Sequence, residues 1–147
     1  MKFLTAAALL AVAVPASAQF SKPEDAIKYR QSAYTIMGYQ MGQIFRQLKS
    51  DAPDVAAIQR SAGIVDFVSQ LPGEGYVPGS DKGGTPPTKA KPEIFTDPKV
   101  KEIGMAMRKE VTKLAEVSKT GDVNAIRAQF QATVKSCDAC HDNYRNK

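Results

Sequence analysis

The two cysteines and the single histidine of this 147-residue chain fall within five residues, Cys137-Asp138-Ala139-Cys140-His141. Thiols three positions apart on a helix lie on neighbouring faces of one turn. They can add across the two vinyl groups of a haem and hold it by two thioether bonds, while His141 presents its imidazole to the iron as axial ligand. The chain cannot supply the four cysteine and histidine ligands of a closed zinc site. A thioredoxin-like redox pair would sit in a strand–helix context, and no strand pattern is visible. The competing reading is one structural disulfide. A bridge between positions i and i+3 closes a very short loop, stabilises little and leaves the adjacent histidine unexplained.

The other end of the chain fixes the compartment. Met1-Lys2 is followed by an apolar run from Phe3 to Val14 and then Pro15-Ala16-Ser17-Ala18. A positive start, a short apolar core and an Ala-x-Ala end describe a secretory signal peptide. The run is too short to span a bilayer comfortably. Residues 1–18 are therefore expected to be a signal peptide cleaved after Ala18, and residues 19–147 one domain in the periplasm. Covalent haem agrees with export, because it is attached outside the bacterial cytoplasm. Of the 20 basic side chains only Lys2 is removed, which leaves 19 against 15 acidic ones, a formal +4. The cations are scattered, so neither a nucleic-acid stripe nor a polybasic membrane patch is indicated.

Periodicity predicts four helices. Ser21-Lys22-Pro23-Glu24 reads as a start, with Ser21 as cap and Pro23 in the first turn. Ile27, Tyr34, Met37, Met41, Ile44 and Leu48 follow at helical steps along one face. Asp51-Ala52-Pro53-Asp54 breaks this pattern. A second stripe then runs through Val55, Ile58, Ala62, Val65 and Val68, with Gly63 as a place where another helix could approach closely. Asp97-Pro98 opens the third helix, whose stripe is Val100, Ile103, Met107, Val111, Leu114 and Val117. Thr120-Gly121-Asp122 stops it and caps a fourth carrying Val123, Ile126, Phe130, Val134, Cys137, His141 and Tyr144. The haem motif thus continues the core stripe of the last helix, which places the haem in the core of the fold.

Leu71 to Thr96 differs in kind, with five of the nine prolines and five of the ten glycines. It reads as one long crossover passing near the haem edge, not as a domain linker, because each half alone would have too little core. The expected fold is therefore all-α, an antiparallel four-helix bundle with one long crossover between the second and third helices.

With these features in place the chain resembles the cytochromes c′ over Gln19 to Lys147. The marks are the ending Cys137-Asp138-Ala139-Cys140-His141-Asp142-Asn143-Tyr144-Arg145, the opening from Gln19 to Gln31, and Lys91-Pro92-Glu93-Ile94-Phe95 before the third helix. Mitochondrial-type cytochromes c carry the motif near the N-terminus instead. The resemblance implies a periplasmic homodimer with one haem c per chain, covalently attached, and five-coordinate, high-spin iron bound by His141 alone. It implies that Tyr34 closes the distal face, that Arg30 and Gln31 contact the haem and its propionates, and that Arg145 stands on the proximal side, one turn beyond His141. It implies nothing for residues of the loop from Gly73 to Ala90.

An iron with one hindered position selects small ligands, above all nitric oxide and carbon monoxide, with dioxygen weakly held. One-electron redox through the haem edge is the associated function. The alternative is a low-spin electron carrier in which a first-helix methionine, Met37 or Met41, is the sixth ligand. No nucleophile–base pair or carboxylate dyad points to an enzyme, and any turnover would be haem redox chemistry.

Overall fold

The computed structural model describes residues 19–147, so the expected signal peptide lies outside the described residues. Four helices, α1 (Pro23–Lys49), α2 (Val55–Val68), α3 (Lys99–Ser118) and α4 (Val123–Tyr144), form the expected antiparallel bundle. Among the described residues there is no strand, only an isolated antiparallel bridge between Ala90 and Arg145. None of the helices described is long and apolar enough to cross a membrane.

Local chemistry sets the helix ends. Asp54 caps α2 by accepting from the Ala57 N–H at 2.9 Å, and Asp122 caps α4 by accepting from Asn124 and Ala125. Asp97 accepts from the Lys99 N–H at 2.9 Å at the start of α3. The Ser21 cap expected for α1 is not formed. Lys22 holds that position without a side-chain bond. A residue before proline is pushed to extended backbone, and Lys22 sits at φ −141°, ψ 150°, so the helix begins at Pro23 itself. Glu24 and Asp25 then favour the positive end of the helix dipole.

The helices pack in a ring, α1 on α2, α2 on α3 and α3 on α4, with far less contact between α4 and α1. Two apolar clusters hold this arrangement. One joins all four helices through Ile44, Leu48, Ile58, Leu114, Ile126 and Phe130. The other joins α1 to α2 and α3 through Ala33, Met37, Val65, Val68 and Val111. Gly63 of α2 is not the close approach expected: a Cβ there meets nothing within 4 Å.

At 27 residues against 14, α1 runs well past α2. By helical rise the excess is about 20 Å. The crossover covers that overhang. It contains 3₁₀ turns at Pro72–Gly75 and Pro92–Phe95. Gly75 lies directly on α1, where a Cβ would come within 2.8 Å of the Ala26 carbonyl oxygen. Gly84, at φ +86°, would put a Cβ 2.6 Å from Ile27. The loop is therefore a strap laid on the first half of α1, and its glycines are what let it lie flat.

Candidate haem site

The site is built where α1 and α4 diverge. At one end the two helices meet: Phe45 stacks on Phe130 with ring centroids 6.2 Å apart, and Arg127 donates to the Leu48 carbonyl at 2.9 Å. Towards the C-terminus of α4 the packing opens. Ile126 and Phe130 are buried, whereas Val134 is 37% exposed and His141 is exposed. The core stripe expected to run through His141 is thus interrupted: Val134 and His141 are exposed, and burial returns only at Tyr144.

Cys137 and Cys140 are half-buried free thiols, so the disulfide reading is not realised. Burial pushes both above the ordinary thiol range. The Tyr34 hydroxyl of α1 reaches across to the crossover, where it meets that of Tyr76. Tyr34 is 38% exposed. Its neighbours in sequence, Ala33 and Met37, turn the other way into the apolar cluster against α2 and α3. Met41 packs on both clusters.

Arg30, expected beside the propionates, is engaged by the crossover. It is 2% exposed. Nη1 donates to the Gly75 carbonyl at 2.6 Å and the Ser80 hydroxyl at 2.8 Å. Nη2 donates to the Ser80 carbonyl at 2.5 Å and the Thr88 hydroxyl at 2.9 Å. A guanidinium has four terminal N–H groups, and here all four hold the crossover, leaving none for a bidentate carboxylate pair. Gln31 likewise donates to the Pro86 and Pro87 carbonyls, at 3.0 and 3.4 Å. Both residues tie the strap to α1.

Arg145 is not on the helical face of His141, as its spacing implied. α4 ends at Tyr144, and Arg145 turns extended, at φ −122° and ψ 132°, to bridge Ala90. The Lys91 N–H donates to the Tyr144 carbonyl, and the Asn146 N–H to the Lys89 carbonyl. Arg145 and His141 nevertheless line one open cavity, together with Lys89, Lys91 and Lys147. The Tyr144 hydroxyl donates to Asp97 at 2.7 Å, so the end of α4 is pinned to the end of the strap.

Sequence reasoning passed over Tyr76. Its hydroxyl lies 3.2 Å from that of Tyr34. Its ring is covered by the Arg30 guanidinium at 4.8 Å and meets Phe95 edge-on at 5.7 Å. The signal was present: Tyr76 and Phe95 are the only aromatics in a stretch rich in proline and glycine.

Two adjacent thiols, an accessible imidazole and a bundle that opens beside them suit a tethered porphyrin. The family model for cytochrome c′ matches residues 25–145. The chain belongs to the cytochrome c′ family. Cytochrome c′ of Alcaligenes xylosoxydans is 39% identical over 131 residues, covering 88% of this chain and 99% of that protein. A nitric oxide complex of a cytochrome c′ point mutant from Alcaligenes xylosoxidans superposes with a TM-score of 0.79 at 38% identity, covering 88% and 99%. A cytochrome c′ with unusual ligand-controlled dimer dissociation superposes at 0.81 with 32% identity, covering 86% and 98%. The family carries covalently bound haem c and is periplasmic, and the two cysteines near the C-terminus are consistent with that cofactor.

Proposed function

We propose that this member of the family is a five-coordinate haem c protein that binds nitric oxide and carbon monoxide and undergoes associated one-electron redox. In this reading Cys137 and Cys140 form the thioethers, His141 is the sole protein ligand to iron, and Tyr34 stands over the distal face. The bound group supplies an iron centre with one position open to a gas. The chain supplies selection. A neutral diatomic ligand needs room above the iron, and in this reading Tyr34 controls the room.

The observation that carries this reading is the division of labour along α1. Met37 and Met41 are packed into the apolar clusters, whereas Tyr34 lies outside them, its hydroxyl 3.2 Å from that of Tyr76. That favours an open iron over methionine ligation. The nitric oxide complex known for a relative supports it further. An optical spectrum of the ferrous holoprotein tests it. A broad high-spin band that changes on adding nitric oxide or carbon monoxide is expected. A sharp low-spin α/β pair, lost in Met37→Leu or Met41→Leu, would establish the electron carrier instead.

The same reading includes export with cleavage after Ala18 and a homodimer. Tyr39 is 61% and Phe67 68% exposed, next to Ile36 and Ile64 on the outer faces of α1 and α2. Gly38 and Gly63 leave open space beside them, where a Cβ would meet nothing within 4 Å. Mid-helix glycine costs about 1 kcal/mol relative to alanine. A second copy seated on this apolar face would use the space, and Phe67→Glu is expected to give a monomer by sedimentation.

A further inference from the structure

The crossover places a second phenol against the one assigned to the distal face. Tyr34 and Tyr76 share a hydrogen bond of 3.2 Å, with either hydroxyl able to donate. They come from segments 42 residues apart. Tyr76 is the less free of the two. It follows the 3₁₀ turn Pro72–Gly75, its N–H donates to the Gly73 carbonyl, and its ring is held between Arg30 and Phe95. Arg30 in turn fixes the strap on both sides of Tyr76, at Gly75 and at Ser80. Tyr34 stands on a continuous helix and can leave by side-chain rotation alone. Such a pair has a fixed post and a movable bar.

We propose that Tyr34 and Tyr76 form a latch over the distal side of the haem, and that a gas enters only when this bond opens. The inference rests on the reading that Tyr34 covers the distal face, and adds the residue that decides how firmly it does so. Breaking a hydrogen bond between two neutral phenols opposes ligand entry by a modest factor, about 2- to 10-fold. Nitric oxide and carbon monoxide bind ferrous iron strongly enough to overcome it. A weaker ligand loses the same factor from a smaller affinity. Burial holds both phenols above their ordinary ionisation range, so the bond persists across the pH range of the periplasm.

Four holoproteins test the latch: wild type, Tyr34→Phe, Tyr76→Phe and the double variant. Each Phe change keeps the ring and removes only the hydroxyl. Carbon monoxide association with the ferrous protein is measured by flash photolysis, and urea unfolding of the same ferric proteins is measured without gas. Each single variant is expected to bind carbon monoxide about 2- to 10-fold faster, with the double variant little faster than either. The unfolding midpoints should be non-additive in the same sense. Additive effects in either cycle overturn the latch. So do unchanged rates in both single variants, and Tyr34→Ala then separates the two claims. If Tyr34→Ala speeds entry, the distal tyrosine stands and only the latch falls. If Tyr34→Ala also changes nothing, the distal assignment falls with it.

Discussion

The two ends of the bundle are held by different physics. The closed end, around Ile44, Leu48, Ile58, Leu114 and Ile126, is apolar contact among four helices. The open end, around Cys137, Cys140 and His141, is held by a strap and by hydrogen bonds: Arg30 to Gly75, Ser80 and Thr88, Gln31 to Pro86 and Pro87, Tyr144 to Asp97. Apolar packing has no preferred direction and fills whatever volume it is given. A cofactor slot needs walls that stay apart, and directional bonds to a loop can hold a helix upright without filling the space beside it. The difference teaches that the strap does for α1 at the open end what α2 does at the closed end.

The largest effect separates the ends completely. Replacing both Cys137 and Cys140 by Ala is expected to abolish haem that survives denaturing electrophoresis, read by peroxidase staining of the gel. Far-UV circular dichroism should retain most of the helical signal, because the closed end owes nothing to the thiols. A random-coil spectrum would break the comparison. Next comes the closed end itself. Leu114, fully buried among all four helices, should cost about 2–5 kcal/mol on truncation to Ala, measured by urea unfolding. The same variant should leave carbon monoxide kinetics near wild type, since the site lies at the other end.

Arg30 sharpens the contrast from the open side. Arg30→Ala leaves the Gly75 and Ser80 carbonyls without their partners in a buried setting, at a cost of about 2–3 kcal/mol. The loss should appear first as protease cleavage between residues 71 and 96, ahead of global unfolding. Arg30→Lys should recover little of it, because an ammonium cannot fork between four acceptors on two sides of a loop. Equal protection of the strap in Arg30→Ala would show that glycine contacts alone hold it down.

These ends also differ in how far the amino-acid sequence discloses them. The closed end was legible throughout, because its residues recur at steps of three and four and the helix period is local. The motif of two cysteines near the C-terminus was legible for another reason, since covalent haem attachment demands that spacing. Arg30 and Gln31 stand out in the sequence only through the family resemblance, and their bonds to the crossover were not foreseen. Arg30 reaches Ser80 across 50 residues and Thr88 across 58. No period links a helix to a loop of prolines and glycines, so nothing local announces the contact. Arg145 was misplaced for a related reason. Carrying the helix one residue further, to Arg145, ignored the backbone pairing with Ala90, which a tertiary neighbour imposes.

The smallest expected effect tests whether the open end is a cooperative part of the fold. The Tyr144–Asp97 bond raises Tyr144, from the ordinary phenol value of 10.0 to about 12, and lowers Asp97 below 3.8. A tyrosine whose folded value is raised contributes fully below the ordinary value and loses its contribution as pH climbs through the folded one. The carboxylate behaves oppositely: its contribution is complete above the ordinary value and fades as pH falls through the lowered folded value. The wild type should therefore lose stability relative to Tyr144→Phe between pH 10 and 12, and again below pH 3.8. Between those limits Tyr144→Phe should be the less stable protein by a constant margin. The margin is read from their thermal midpoints. A difference that follows this shape in the global transition means that pinning the end of α4 to the strap is felt by the whole bundle. A flat difference, with the alkaline step visible only in tyrosine absorbance, means that the end of α4 frays by itself and the two ends unfold as separate units.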